Sequence, residues 1–247
     1  MASQLDEVAL PPALATRLYD HQKKGVVWLY NLYKNRQSGI LGDDMGLGKT
    51  FQVCCLLTAL LKSRQIRRAM IVAPVSVMEG WLRELSKHTR PYVKGLHIEV
   101  LNAEMSKKKR LNLLSDTFHS ERPTIIITSY SLVSIMVDDF TGIKRASLAG
   151  DSNFAKPWDY VILDEGHVIK NPQTNLTKAV NKLKSKHRLL LTGTPIQNNL
   201  TEFWSLLNWV TQGRVFGSQA SFQASYGEPI VKVCLMQVAS KVGIFKK

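Results

Sequence analysis

The stretch "GILGDDMGLGKTF", residues 39–51, decides how the chain is read. It holds a short apolar run, a turn rich in glycine, and the pair Lys49-Thr50 opening whatever follows. A phosphate-binding loop has this order, because glycines let backbone N–H groups converge on an anion at the start of a helix. The strict pattern asks for a glycine five residues before Gly48, and Asp43 stands there instead. Taken alone, the stretch is either a nucleotide cradle or a glycine turn followed by a capped helix. In the first reading Gly46 and Gly48 shape the cradle, Lys49 reaches the β- and γ-phosphates, and the Thr50 hydroxyl holds Mg2+.

The surrounding pattern favours the cradle. Apolar runs of strand length recur at 38–41, 69–74, 97–102, 124–130, 160–165 and 187–193. Most are continuous rather than alternating, as expected of strands covered on both faces. Helical stretches are read between them, over 50–63, 76–88, 104–119, 131–136 and 174–184. Alternating strands and helices predict a mostly parallel α/β sheet with helices on both faces, whose ligands bind beyond the carboxyl ends of the strands.

Two further motifs end such strands. "YVILDEGH", residues 160–167, is an apolar run closed by two carboxylates. Asp164 has the place of a magnesium ligand, and Glu165 that of a group that orients or deprotonates an attacking water. "RLLLTGTPIQNNLTEFWSLLNWV", residues 188–210, ends its strand in Thr192, Gly193 and Thr194, ahead of an amphipathic helix. Those hydroxyls sense the γ-phosphate region, or else they form a plain strand-ending turn. A phosphate loop together with an acidic strand end makes ATP hydrolysis the better explanation of both.

Composition sets the bounds. The chain has 247 residues, 45% of them hydrophobic and 21% charged, which reads as globular. No uncharged apolar run is long enough to span a membrane, and the start lacks the apolar core of a secretory signal. Three cysteines, two of them the adjacent Cys54 and Cys55, lack metal-ligand spacing and fit a reducing compartment, with helix packing as their role. The net charge of +14 suits a polyanion partner such as nucleic acid. Basic residues cluster at 62–68, 106–110 and 182–188. Each cluster is either a solvated face or a contact for that partner, and "SKKKR" (106–110) also has the form of a short nuclear import signal.

"DDMGLGKT", "DEGH" and "LTGTPIQNN", in that order, resemble motifs I, II and III of superfamily-two helicases, in the wording of the Swi/Snf-type double-stranded-DNA translocases. That family writes its phosphate loop with an acidic residue at the position of Asp43, so the misfit becomes a match. "LYDHQKKGVVWLY" (18–30) is similar to the Q-motif segment, "MIVAPVSVMEGWLREL" (70–85) to motif Ia and "IIITSYSL" (125–132) to motif Ib. "VIKNPQT" follows the acidic box as the family requires, and the Cockayne-syndrome-B-like branch is the nearest in wording. Gly166 is a departure, since the commonest box has alanine there; the change keeps both carboxylates and His167.

The resemblance implies a RecA-like P-loop NTPase lobe over residues 17–212, preceded by an N-terminal segment, 1–16, and followed by a divergent stub, 213–247. It implies ATP and Mg2+ as cofactors. The ATP-binding set would be Gln22, which reads adenine, with Asp43, Asp44, Met45, Gly46, Leu47, Gly48, Lys49 and Thr50. Lys49, Asp164 and Glu165 would carry the chemistry, Thr50 and Asp164 would hold the metal, and Thr192–Thr194 would couple nucleotide to DNA grip. Double-stranded DNA or chromatin in the nucleus is the implied partner, met by Ser76, Thr128, Ser129, Lys170 and Asn171. Trp81 either stacks on bases or packs inside, and Lys170 and Asn171 either touch DNA or cap the next helix. The family's second lobe, with its arginine finger, has no counterpart in the sequence. Turnover by these residues alone is therefore expected to be weak, and a non-catalytic fragment that binds nucleotide, DNA or a partner is the competing reading. An unrelated P-loop kinase or small GTPase would need a base-specificity motif or lid that is not found.

Overall fold

In a computed structural model the described residues are 5–141, 157–193, 200–232 and 244–245. A single helical turn at Pro12–Ala15 precedes α1 (Asp20–Lys34). There follow β1 (Gly39–Leu41), α2 (Lys49–Lys62), β2 (Arg68–Ala73), α3 (Val75–His88), β3 (His97–Leu101) and α4 (Lys107–His119). Next come β4 (Thr124–Ser129), α5 (Tyr130–Phe140), β5 (Trp158–Leu163), α6 (Asn175–Lys182) and β6 (Ser185–Leu191). The chain continues with α7 (Leu200–Thr211), α8 (Gln219–Lys232) and β7 (Ile244–Phe245). Strands lie in the order β3-β4-β2-β5-β6-β1-β7, and every described pair is parallel.

All six apolar runs form strands, and side-chain alternation explains why they are continuously apolar. In β2, Ala69, Ile71 and Ala73 join the core on one face while Met70 and Val72 join the core on the other. The first face is covered by α1, α2 and α3, the second by α4 to α7. α2 is buried from Gln52 to Leu61, so Cys54 and Cys55 are packing residues. Burial pushes their thiols up, that of Cys55 to about 12. Hydroxyl caps start several helices: Ser106 accepts from the Lys109 N–H, Ser129 from Leu132 and Thr174 from Thr177. α5 runs to Phe140, past the end expected near residue 136; the backbone leaves helical values at Met136 (φ −116°, ψ 20°) and then resumes. Beyond residue 212 the chain adds α8 and the two-residue β7, which pairs Ile40 with Ile244 and Leu41 with Phe245. Among the described residues no helix is long and apolar enough to cross a membrane.

The amino edge of the sheet is fastened by charge. Asp159 Oδ2 accepts the N–H groups of Arg67 and Arg68 at 2.9 and 3.0 Å, while Lys186 Nζ donates to Oδ1 at 2.7 Å. Burial opposes ionisation of Asp159, but these donors outweigh it and hold the carboxyl below its usual value. In β6 the buried Arg188 lies over the Trp209 ring at 5.0 Å. It donates to the Trp209 carbonyl at 2.8 Å, to the Ser185 hydroxyl at 3.3 Å and to the Leu183 carbonyl. All three acceptors are neutral, so burial, aided by the charge on Arg214, lowers the guanidinium pKa to about 10.

His187 sits between the rings of Tyr33 and Tyr160, at 4.5 and 5.6 Å. Burial lowers its pKa, helped by Lys186 and Arg36 and opposed by the Gln37 backbone and Asp159. His88 is lowered too, first by burial and then by Arg17 and Lys87, against Glu84. Both imidazoles are favoured neutral in the fold, so the unfolded chain takes up protons that the folded chain resists. Their contribution is fully present above about pH 6.5 and is lost as pH falls below it. Melting followed by circular dichroism should therefore show Tm dropping between pH 7.5 and 5.5, with a smaller drop in His187→Phe. The Asp159 contribution is lost only at much lower pH, which keeps the two effects separable.

Candidate active site at the carboxyl edge of the sheet

Parallel pairing delivers every strand to the same edge. Across that edge, in sheet order, lie residues 106–110 after β3, 129–131 after β4, 74–76 after β2, 164–167 after β5, 192–193 after β6, and 42–48 after β1. The glycine loop and the acidic pair thus flank β6, whose Leu191 pairs with Leu41 and whose Leu190 pairs with Leu163. Two strand spacings separate the ends of β1 and β5 by about 10 Å. Thr192 continues the ladder by donating its N–H to the Leu41 carbonyl at 3.2 Å, and Asp164 does so to Val72 at 2.8 Å. Gly193 abuts the loop: a Cβ there would lie 3.1 Å from Met45 Cγ. Thr194 lies outside the described residues.

The loop is built for close approach. Gly46 and Gly48 have φ of +83° and +76°, which side-chain-bearing residues adopt at a cost. Lys49 turns its ammonium back onto the carbonyls of Asp43 and Asp44, at 2.7 and 3.0 Å. Asp43 is 1% exposed and accepts from Gln52 Nε2 at 3.3 Å, so its carboxylate shapes the loop from beneath. Asp44, Met45 and Gly46 are exposed at the rim, and Leu47, Gly48 and Thr50 are half-buried. Gln22, 6% exposed, accepts the Tyr19 N–H at 3.1 Å and donates to the Leu47 carbonyl at 3.2 Å. One end of its amide caps the start of α1 and the other braces the loop.

The acidic pair is held by its neighbours. Asp164 Oδ1 accepts the Glu165 N–H at 3.0 Å, Oδ2 accepts the Trp81 indole N–H at 2.7 Å, and the Asp164 carbonyl accepts the Tyr130 hydroxyl at 2.7 Å. Burial pushes the Tyr130 phenol well above its usual value, and the charges of Asp164 and Glu165 push it further, so it stays a donor. Glu165 is left-handed (φ 48°, ψ 47°), an uncommon conformation for a side-chain-bearing residue and one that clusters at functional sites. Its Oε2 lies 3.3 Å from His167 Nδ1, without hydrogen-bond geometry.

Residues expected to face DNA divide. Ser76 is exposed on the first turn of α3. Thr128 does not present its hydroxyl: it is wholly buried, donating to the Leu101 carbonyl at 3.1 Å and tying β4 to β3. Ser129 is buried as the cap of α5, and the exposed hydroxyl of that turn belongs to Ser131, which the sequence reading passed over. Lys170 pairs with Glu202 of α7 at 3.3 Å. Asn171 is exposed and organises the approach to α6, its Oδ1 accepting the Gln173 N–H. Trp81 is 2% exposed, an interior residue and not a base-stacking surface.

Gly166 is more than a neutral departure from the commoner alanine. A Cβ there would lie 2.2 Å from Leu190 Cγ, inside the facing strand β6. Gly166→Ala should therefore cost about 1–3 kcal/mol in urea unfolding. Combined with Leu190→Ala, the loss should fall short of the sum of the two single variants, because the second change removes the atoms that clash.

A model of the SNF2-related domain matches residues 21–242. The chain is 39% identical over 228 residues to Protein CHROMATIN REMODELING 24 of Arabidopsis thaliana, covering 90% of this chain and 20% of that protein. It is 36% identical over 220 residues to the zebrafish (Danio rerio) DNA excision repair protein ERCC-6-like, covering 89% of this chain and 14% of that one. Among solved structures, the Sulfolobus solfataricus SWI2/SNF2 ATPase core in complex with dsDNA superposes with a TM-score of 0.70 at 30% identity, over 93% of this chain and 44% of that one. The chain thus spans about a fifth or less of these curated relatives and under half of the archaeal core. The sheet and its helices are the RecA-like lobe of such a core, and the chain belongs to the SNF2-related family of Swi/Snf-type ATPases, beside the relatives named for excision repair and chromatin remodelling.

Proposed function

We propose that the chain is the ATP-binding lobe of an ATP-dependent double-stranded-DNA translocase that acts on chromatin in the nucleus. The observation that carries this reading is the placement of the glycine loop and the acidic pair at one sheet edge with only β6 between them. In it, the inward-turned amides of residues 46–48 and the Lys49 ammonium hold the β- and γ-phosphates. Lys49 now donates to two loop carbonyls, so it already points into the curl that a phosphate would fill. Gln22 braces the loop from below while reading adenine. An oxygen-only set of Thr50 hydroxyl and Asp164 carboxylate suits magnesium, which takes its remaining ligands from phosphate and water. Held there, the ion would neutralise charge on the phosphates. Glu165 accepts the proton of the attacking water, and its constrained backbone fixes where the carboxylate points. Thr192 and Gly193 stand between loop and acids, the place from which a change in the phosphates is felt by β6, and Thr194 is assigned to the same coupling role by resemblance alone.

The other half of the edge, after β2, β4 and β3, is read as the DNA face, with Ser76 and Ser131 as exposed polar contacts, joined by the exposed Asn171 beyond β5. Lys107, Lys108 and Lys109 crowd the first turn of α4, where the helix dipole disfavours cations. A phosphate backbone would relieve that repulsion.

The second reading is a non-catalytic one, in which these residues bind nucleotide, DNA or a partner without turnover. Charge-stabilising arginine is worth about 10³–10⁵ in phosphoryl transfer, and none is assigned here. The 247 residues by themselves should accordingly bind Mg·ATP weakly and turn it over slowly.

Nucleotide binding and ATPase assays with and without duplex DNA test the reading. Lys49→Ala should abolish binding, whereas Glu165→Gln should keep binding and lose hydrolysis. Nucleotide binding indifferent to Lys49→Ala would overturn it. Duplex affinity should fall with salt by about 0.9 log unit per log unit for each phosphate neutralised. Replacing Lys107, Lys108 and Lys109 by alanine should flatten that slope in gel-shift or anisotropy titrations.

A further inference from the structure

We infer that Trp81 is a positioning residue for the Asp164 carboxylate, and that through it the helix beginning at the proposed DNA face reaches the metal-binding group. The inference rests on the reading of Asp164 as a magnesium ligand.

Trp81 lies in the second turn of α3, 83 residues before Asp164 in sequence, and is almost wholly buried. A phenylalanine or leucine would fill such a site. A buried tryptophan also needs an acceptor for its N–H, and here that acceptor is Oδ2 of Asp164 at 2.7 Å. The bond is charge-assisted and directional. An indole N–H only donates, so it does not compete as a metal ligand. A carboxylate has about four lone-pair sites; the indole takes one on Oδ2 and the Glu165 N–H one on Oδ1. The remaining sites stay open to a cation, with the plane of the group fixed. Tyr130 fixes the backbone of the same residue from α5. Each helix starts where its strand ends, α3 at residues 74–76 and α5 at 129–131, which are the two turns assigned to the DNA face. Trp81 is six residues beyond Val75, about 9 Å along the helix axis. A tug on the first turn of α3 is thus felt directly at the carboxylate.

Binding of a fluorescent ADP analogue, titrated with Mg2+, tests this in the wild type, Trp81→Phe and Asp164→Asn. Trp81→Phe should raise the half-saturating Mg2+ concentration about tenfold, in the range found for partners that orient metal ligands, while leaving metal-free nucleotide binding unchanged. A wild-type Mg2+ response in Trp81→Phe, alongside a shifted one in Asp164→Asn, overturns the inference and spares the nucleotide site. No Mg2+ response in the wild type, or none lost in Asp164→Asn, overturns the nucleotide reading and this inference with it. A second measurement needs no variant. With 15N-labelled indoles, substoichiometric Mn2+·ADP should broaden the Trp81 signal before those of Trp28, Trp158, Trp204 and Trp209. Equal broadening of all five, or Trp81 broadening after the others, overturns the inference.

Discussion

Strand β6 lies between β1 and β5, and the spacing of the site is fixed by that interposition. β1 has only three residues and could not hold its position alone. Its pairing with β6 from Gly39↔Leu189 to Leu41↔Leu191, with both faces buried, anchors the root of the glycine loop to the root of the acidic box. Backbone hydrogen bonds, rather than flexible side chains, therefore set the separation of loop and carboxylates. A site mounted in this way on strand ends keeps its geometry while the loops above it exchange partners.

The rest of the edge is organised around that spacing. In the proposed reading the β5–β6–β1 half serves phosphate-directed chemistry, and the β3–β4–β2 half presents hydroxyls and lysines suited to a sugar-phosphate backbone. The halves are joined at Asp164, which takes one donor from each of two helices rooted in the second half. The left-handed Glu165 stands at the same point. Gly166 follows it and lets the chain pass against Leu190 without a clash.

Much of this was legible in the sequence, and the misses have physical causes. Continuous apolar runs marked all six principal strands because a sheet covered on both faces needs apolar residues at every position. Thr128 and Ser129 are placed against DNA by motif resemblance, which does not say which way a side chain points at the end of a doubly covered strand, and both are buried. Strand order depends on crossovers that the local pattern does not encode, so the meeting of residues 42–48 with 164–167 rested on motif spelling until the sheet supplied it. The Trp81–Asp164 bond spans 83 residues and has no periodic signature. The sequence leaves Trp81 open between stacking on bases and packing inside, and it does not name the partner of the indole. The exposed Ser131 was missed because Ser129, two residues earlier, occupies the motif position, and only the structure shows that Ser129 is buried as the helix cap while Ser131, hydrogen-bonded to it at 3.0 Å, is the exposed residue.

The buried guanidinium of Arg188 has a consequence for motion. It clasps the carbonyl end of α7 at Trp209 and the approach to β6 at Leu183 and Ser185. Sliding the helix away would strip the cation of the Trp209 carbonyl and ring and leave it in a dry interior with only the neutral oxygens of Leu183 and Ser185. Helix and strand must therefore travel as one solid piece, and any lever stroke arising near Thr192 would be passed on whole rather than absorbed between them.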